Sequence, residues 1–180
     1  MNYSELLTNI RNYTEVDSNV FSDAVINTFI TMAENRILRD IDLDVFKKES
    51  YGTMTDGNRF LAAPSDILTH RYMFITVSDE KVYLDFRDTS FMKEYWPDPA
   101  TKGVPKYYSV WDQDTFYVAP TPDSNYTVQL GYIYRPTQLS SGNTTTWTST
   151  NAPEALLYAT LIQAYSYTKG PVAMMQYFET

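Results

Sequence analysis

The sequence predicts an α+β fold, in which helices from the N- and C-terminal parts pack together and a central antiparallel β region is inserted between them. Residues 1–44 and 151–180 place apolar side chains three or four positions apart, which is helical spacing. Residues 45–136 contain short aromatic and β-branched runs separated by turn residues. Residues 137–150 are rich in Ser, Thr and Asn, as in a surface loop or an extended arm. We therefore expect the 180 residues to form one domain with these parts.

The helices at the two ends are predicted from their apolar faces and capping residues. The first helix begins near Ser4, and the second covers about residues 22–40. Near the other end of the chain, Asn151 is expected to cap a third helix, which ends at Gly170. The buried stripe of the second helix consists of Ile26, Phe29, Ile30, Ala33 and Ile37.

Two hairpins are predicted in the first half of the β part. The turn of the first is Asp56-Gly57-Asn58, and the turn of the second lies at residues 78–80. A short helix over residues 89–96 should follow, because the prolines at 97 and 99 stop it. The strands of the two hairpins are residues 45–55 with 59–63 and residues 71–77 with 81–86.

Residues 103–136 are predicted to form an antiparallel meander of three strands. In the third strand, every second residue from Tyr126 to Tyr134 is apolar or aromatic, which is the period of a strand with one buried face. The predicted strands are residues 106–111, 115–119 and 126–134.

Charge and composition exclude several functions. The net charge is −8 and the 14 basic residues are scattered, whereas proteins that grip nucleic acid cluster their Lys and Arg. There is no cysteine, so disulfides and thiolate sites are excluded. No apolar run reaches the roughly 20 residues of a membrane-spanning helix, and we expect no membrane partner. The 16 tyrosines and 9 phenylalanines suit a sheet core, and surplus tyrosine suits contacts between subunits.

No residue pattern predicts catalysis, a cofactor or a metal site. His70 is the single histidine, which leaves no second imidazole for a metal. The acidic stretch 40–44 does not fit a calcium loop, because Val45 stands where glycine is required. A carboxylate pair such as Asp85 with Asp88 is the enzymatic alternative that the sequence leaves open, although strand ends and turns explain such acids. We predict that the chain is not an enzyme.

Five motifs occur in order along the chain. Together they resemble the head-to-tail adaptor proteins of tailed bacteriophages, over about residues 23–167. That family carries no catalytic signature, so the resemblance implies a structural role. The motifs are FITMAENRI at 29–37, FLAAPSD at 60–66, GVPKYY at 103–108, FYVAPTPDSNYTVQLGY at 116–132 and PEALLYATL at 153–161.

The resemblance implies a ring, usually dodecameric, beneath the portal in the neck of the virion, built from chains made in the host cytoplasm. Such a ring extends the DNA channel and carries the tail or nozzle proteins, while DNA passes through without specific binding. A channel lined with negative charge repels phosphates, which suits passage of the genome. We expect some of the candidate acids to face the channel or its rim, namely some of Asp40, Asp42, Asp44, Asp112 and Asp114.

Two further segments are expected to make contacts in the assembly. Residues 137–150 should reach a neighbouring subunit through Leu139 and Trp147. Two functions are alternatives to that of a head-to-tail adaptor. One is another tail or minor capsid protein. The other, from a different class, is a carbohydrate-binding β module that stacks sugars on Trp147. The segment after Pro171 should dock on the portal, with the candidates Val172, Met174, Met175, Tyr177 and Phe178.

Overall fold

The computed structural model describes residues 1–41, 44–169, 176 and 178 and confirms the α+β class. The chain divides into two compact units. The helical unit consists of Met1–Leu43 and Pro136–Thr180, and the β unit consists of Asp44–Arg135.

The elements follow one another from helices through strands and back to helices. A 3₁₀ turn, Asp44–Phe46, precedes the first strand. In chain order the helices and strands of the described residues are α1 (Tyr3–Thr14), α2 (Asp23–Asp40), β1 (Lys47–Met54), β2 (Phe60–Ala62), β3 (Ile67–Val77), β4 (Glu80–Phe86), α3 (Thr89–Tyr95), β5 (Lys102–Gly103), β6 (Tyr107–Asp112), β7 (Thr115–Ala119), β8 (Thr121–Pro122), β9 (Tyr126–Tyr134), α4 (Trp147–Asn151) and α5 (Pro153–Tyr167).

Helices α1 and α2 begin where polar side chains cap them. The Asn2 side chain accepts a hydrogen bond from the Glu5 N–H, and the Glu5 carboxylate accepts one from the Asn2 N–H, which is a capping box. Ser22 accepts from the Val25 N–H, and the predicted helix of residues 22–40 is confirmed.

The predicted cap of the third helix is wrong. Asn151 is the last residue of α4, and its side-chain amide donates to the carbonyl of Trp147 at 3.0 Å. Helix α5 has no side-chain cap. It begins at Pro153, because the fixed φ of proline suits the first turn of a helix. The Ser/Thr-rich segment therefore ends in a helix, which Thr146 caps by accepting from the Ser149 N–H.

Helices α1, α2 and α5 enclose the core of the helical unit. Full burial of a Leu or Ile side chain contributes about 1.5–3 kcal/mol to stability, so this cluster dominates the packing energy of the unit. Its completely buried members include Leu6, Ile10, Ile26, Ile30, Leu156 and Leu161.

Seven strands of the β unit form one sheet in the order β1-β9-β3-β4-β6-β7-β2. Its neighbours are antiparallel except β4 and β6, which run parallel. Met54 of β1, Leu84 of β4 and Leu61 of β2 all pack in the same apolar cluster, so the sheet curves around its own core. Strands β5 and β8 form a separate parallel pair.

One predicted hairpin is confirmed and the other is wrong. Strands β3 and β4 pair across a turn in which Ser78 and Asp79 have φ of 50° and 67°, as a two-residue hairpin requires. Strand β1, however, pairs with β9, and β2 pairs with β7. The Asp56-Gly57-Asn58 turn therefore connects strands that are not neighbours.

The predicted three-stranded meander is also wrong in its last strand. Strands β6 and β7 pair as expected, but β9 lies between β1 and β3. Its predicted apolar face lies in the core of the β unit. The other face is buried at Gln129, Gly131 and Ile133, as expected of a central strand.

Gly131 is required where β9 passes beneath Tyr72. The two residues are opposite each other in the β9–β3 pair, and the Tyr72 ring occupies the space that a Cβ at position 131 would need. On the other side, Glu49 of β1 is opposite Gly131 and accepts a hydrogen bond from the Tyr72 hydroxyl. The Tyr72 side chain thus extends from β3 across Gly131 of β9 to Glu49 of β1.

Candidate assembly surfaces

The buried carboxylate of Glu34 holds the Ser/Thr-rich segment onto α2. Glu34 is 4% exposed and accepts a hydrogen bond from the Leu139 N–H at 3.0 Å. It also accepts from the hydroxyls of Thr146 at 3.3 Å and Thr148 at 3.4 Å. One side chain of α2 therefore fixes both ends of residues 139–148.

Burial and hydrogen bonding oppose each other at Glu34. Burial raises the pKa of the carboxyl from its ordinary value of 4.5, although the hydrogen bonds from Leu139, Thr146 and Thr148 act to lower it. Because the net effect raises the pKa, the free energy that the carboxylate loses through desolvation is larger than the free energy that it gains from those three hydrogen bonds.

The two arm candidates have different surroundings. Leu139 is 3% exposed and packs in the core of the helical unit of its own chain. Trp147 begins α4 and is 36% exposed. Of the two, Trp147 has indole surface available for a contact with another molecule.

Most of the portal-docking candidates lie outside the described residues, namely Val172, Met174, Met175 and Tyr177. Phe178 is described and is 8% exposed. Its ring stacks on Tyr165 at 5.7 Å and lies 5.5 Å from the Tyr158 ring, both on α5. The Phe178 side chain is thus part of the core of the helical unit.

A row of aromatic side chains crosses one face of the sheet of the β unit. Residue pairing places Tyr51 of β1, Phe74 of β3 and Tyr83 of β4 in one row, and Tyr72 lies beside it. Tyr51 and Tyr83 are 68% and 64% exposed, whereas Phe74 is buried beneath its neighbours. We call Tyr51, Tyr72, Phe74 and Tyr83 the aromatic face.

Contacts within the aromatic face order its rings before any partner binds. Phe74 lies 5.2 Å from Tyr83 and stacks on Tyr72 at 6.2 Å. The Lys81 ammonium lies 4.4 Å from the centre of the Phe74 ring, which is a cation–π contact. The hydrogen bond to Glu49 raises the pKa of Tyr72 to about 12, so its hydroxyl remains a neutral donor at physiological pH.

A cleft of about 390 Å³ opens between the start of β3 and the turn that joins β6 to β7. His70 faces aromatic rings there, with Phe86 at 4.4 Å and Tyr108 at 5.5 Å. Burial, and to a smaller degree the charge of Arg71, lowers the pKa of His70, which favours the neutral imidazole. We call this the β3–β6 cleft, and its lining includes Ile67, Leu68, His70, Val110, Asp112 and Phe116.

Asp40 and Asp44, two of the acids proposed for the channel, form ion pairs with nearby cations. Asp40 is within ion-pair distance of Arg36 and Arg39, and the hydrogen bond from Arg39 is the main cause of its lowered pKa. Asp44 forms an ion pair with Lys47 at 2.9 Å, which lowers its pKa in the same way.

The structure describes two of the remaining three acids. Asp112 and Asp114 are exposed at the β6–β7 turn, where the Asp112 side chain accepts from the Asp114 N–H at 2.9 Å. Asp42 lies outside the described residues.

Arg59 is a buried cation that the sequence did not reveal. Its guanidinium donates to the Tyr117 hydroxyl at 2.5 Å, to Thr121 Oγ1 at 2.9 Å and to a backbone carbonyl at 3.1 Å. That carbonyl belongs to Asp98, so Arg59 fixes the loop after α3 against β7 and β8. Its position directly after a predicted turn gave no signal of burial.

Some kinds of site do not occur among the described residues. No three His, Asp or Glu side chains in the described part of the chain are arranged to hold a metal ion. Over the same residues, no helix is both long enough and apolar enough to span a membrane.

Exposed aromatic side chains such as those of the aromatic face are common where proteins contact one another. The whole chain, residues 1–180, matches the model of the family described as SU10 adaptor protein, and the chain belongs to that family. It is therefore a structural adaptor of a bacteriophage, a class that partners portal and tail components at the neck of the virion. No protein with a curated description matches the chain.

Proposed function

We propose that the chain is a head-to-tail adaptor that forms a dodecameric ring between the portal and the tail. The ring extends the DNA channel and provides the platform to which tail or nozzle proteins attach. Membership of a phage adaptor family supports a position at the neck. The observation that supports a ring is the aromatic face, in which a single chain leaves Tyr51 and Tyr83 exposed to water.

The aromatic face has the composition of a contact between subunits. Tyrosine is enriched at protein interfaces because it contributes a large apolar area and a hydroxyl at a low cost in side-chain entropy. Tyr51, Tyr72 and Tyr83 are exposed on β1, β3 and β4, and contacts with Phe74 and Glu49 already order them. A ring requires two different surfaces on each subunit, and the aromatic face serves as one of them.

The negative charge of the chain suits a conduit for DNA. A net charge of −8 disfavours lasting contact with phosphates. We propose that Asp40 and Asp44 face the channel or its rim, because their side chains are 49% and 72% exposed. A ring structure with both carboxylates outside the channel would remove this part of the proposal.

The mass of the purified chain, with and without the portal of its phage, tests the proposal. Light scattering and negative-stain imaging should show either a ring or a chain that assembles into a ring on the portal. A dodecamer has twelve times the mass of the 20.8 kDa chain. A stable monomer that does not bind the portal would rule out the adaptor ring.

A further inference from the structure

The sheet of the β unit has a gap beside the first half of β3. Strand β4 pairs with β3 only from Met73 to Val77, so within the described part of the chain residues 67–70 have a strand neighbour only on the β9 side. The end of β4 pairs with β6 at Asp85 and Phe86, and the chain then leaves the sheet for α3. The β3–β6 cleft lies where a continuation of β4 would run.

The two walls of the cleft differ in the hydrogen-bonding groups that they present to a ligand. On the β6 side, the carbonyl of Val110 accepts a hydrogen bond from the Thr89 hydroxyl at 3.3 Å. On the β3 side, residues 67–70 have no neighbouring strand other than β9 among the described residues, and the imidazole of His70 makes ring contacts but no hydrogen bond to a described residue. An unpaired strand edge beside an apolar floor is suited to an extended polypeptide, which adds to the sheet through its backbone groups.

The acidic side chains at the rim of the cleft favour a polypeptide that carries positive charge. Asp112 lines the cleft, and Asp114 lies two residues further along the same turn. Within the described part of the chain, neither carboxylate lies within ion-pair distance of a Lys or Arg. Two neighbouring carboxylates that lack a counter-charge are complementary to a cationic side chain.

We propose that the β3–β6 cleft binds an extended segment of another protein of the virion neck. The segment pairs with residues 67–70 of β3 as a strand and lays apolar side chains over Leu68 and Phe116. A lysine or arginine of the segment lies against Asp112 and Asp114. This inference rests on the adaptor function proposed above and names one of its partner contacts.

Photochemical cross-linking in assembled virions tests the proposal. The photoreactive residue p-benzoylphenylalanine replaces Thr69, which is exposed and lines the cleft, in the full chain. After irradiation, mass spectrometry identifies the cross-linked segment. The expected product is a segment of a portal or tail protein that contains lysine or arginine. A cross-link to a second copy of this chain, or no cross-link at all, would overturn the proposal.

Charge variants show whether the acidic rim takes part. The double variant Asp112→Asn with Asp114→Asn should lower the cross-linking yield severalfold. The matched control, Asp79→Asn with Glu80→Gln, removes two charges at the β3–β4 turn and should leave the yield unchanged, since asparagine tolerates the positive φ of Asp79. An equal yield in the two double variants would contradict the proposal.

A third variant keeps the test decisive if loss of the rim acids impairs folding. Leu68→Arg places a cation inside the cleft, retains both acids and should abolish the cross-link. A Leu68→Arg variant that cross-links normally would overturn the proposal. Ring assembly on the portal is measured separately by mass, so failure of the cleft and failure of the adaptor function give different results.

Discussion

The carboxylate of Glu34 accepts a hydrogen bond from the backbone N–H of Leu139, which lies 105 positions further along the chain. This contact joins the middle of α2 to the segment that follows the β unit. The same carboxylate accepts from Thr146 and Thr148, so one buried acid organises the connection into α4.

Removal of the Glu34 carboxylate should destabilise the helical unit. Glu34→Ala leaves the buried N–H of Leu139 without an acceptor, and such a group costs about 1–3 kcal/mol. Glu34→Gln keeps an oxygen acceptor and should cost less. Urea unfolding followed by circular dichroism measures both, and equal losses in the two variants would contradict the role assigned to the carboxylate.

The raised pKa of Glu34 predicts the pH dependence of this contribution. Between the ordinary value of 4.5 and the higher folded value, the folded chain holds more protons than the unfolded chain, so stability falls as pH rises through that window. The Gln variant lacks this titration. The free energy of unfolding of the native chain minus that of Glu34→Gln should therefore be larger at pH 4 than at pH 7. A difference that increases with pH would show that hydrogen bonding outweighs burial.

A side chain at position 131 should displace the Tyr72 ring. Gly131→Val should lower the free energy of unfolding by about 1–3 kcal/mol, because a branched side chain overlaps a ring that Glu49 holds in place. Gly142→Val is the matched control, since no heavy atom lies within 4 Å of the added Cβ. Thermal unfolding of both variants, and of Gly131→Val in a Tyr72→Ala background, measures the effect. If the loss persists without the Tyr72 ring, the clash is not its cause.

Substitution of Trp147 distinguishes a role of this residue in assembly from a role in binding sugars. Trp147→Ala should weaken ring formation on the portal, because its indole is the large exposed apolar group of α4. Tyr13→Ala, at another exposed aromatic of the helical unit, is the control and should assemble normally. Sedimentation with the portal measures assembly. Binding to a glycan array that disappears in Trp147→Ala would favour the carbohydrate-binding alternative instead.

Removal of residues 170–180 should abolish binding to the portal, as the proposed docking of this segment requires. Phe178→Ala is the comparison, because it removes the ring that packs on Tyr158 and Tyr165 but keeps the rest of the segment. Helical circular dichroism checks that both variants are folded. Portal binding that survives the truncation would show that another surface docks.

Local patterns in the sequence were sufficient for the longer helices and strands, but not for the short elements α4, β5 and β8. Helix α2 was predicted from the cap at Ser22 and the spacing of Ile26, Phe29 and Ile30, and β9 from its alternation. These signals are local because helical and strand periods repeat within a few residues. The resemblance that rested on five ordered motifs also pointed to the phage adaptor family, to which the chain belongs.

The tertiary structure alone decided which elements meet. The sequence around Asp56-Gly57-Asn58 favoured a hairpin, yet β1 pairs with β9, because strand partners are chosen by burial over the whole sheet rather than by the nearest turn. Three features depend on residues that are far apart in the chain. They are the hydrogen bonds of Glu34, the packing of Tyr72 on Gly131 and the gap beside β3. Periodicity therefore determined the longer helices and strands and their apolar faces, and long-range packing determined the surfaces that they form.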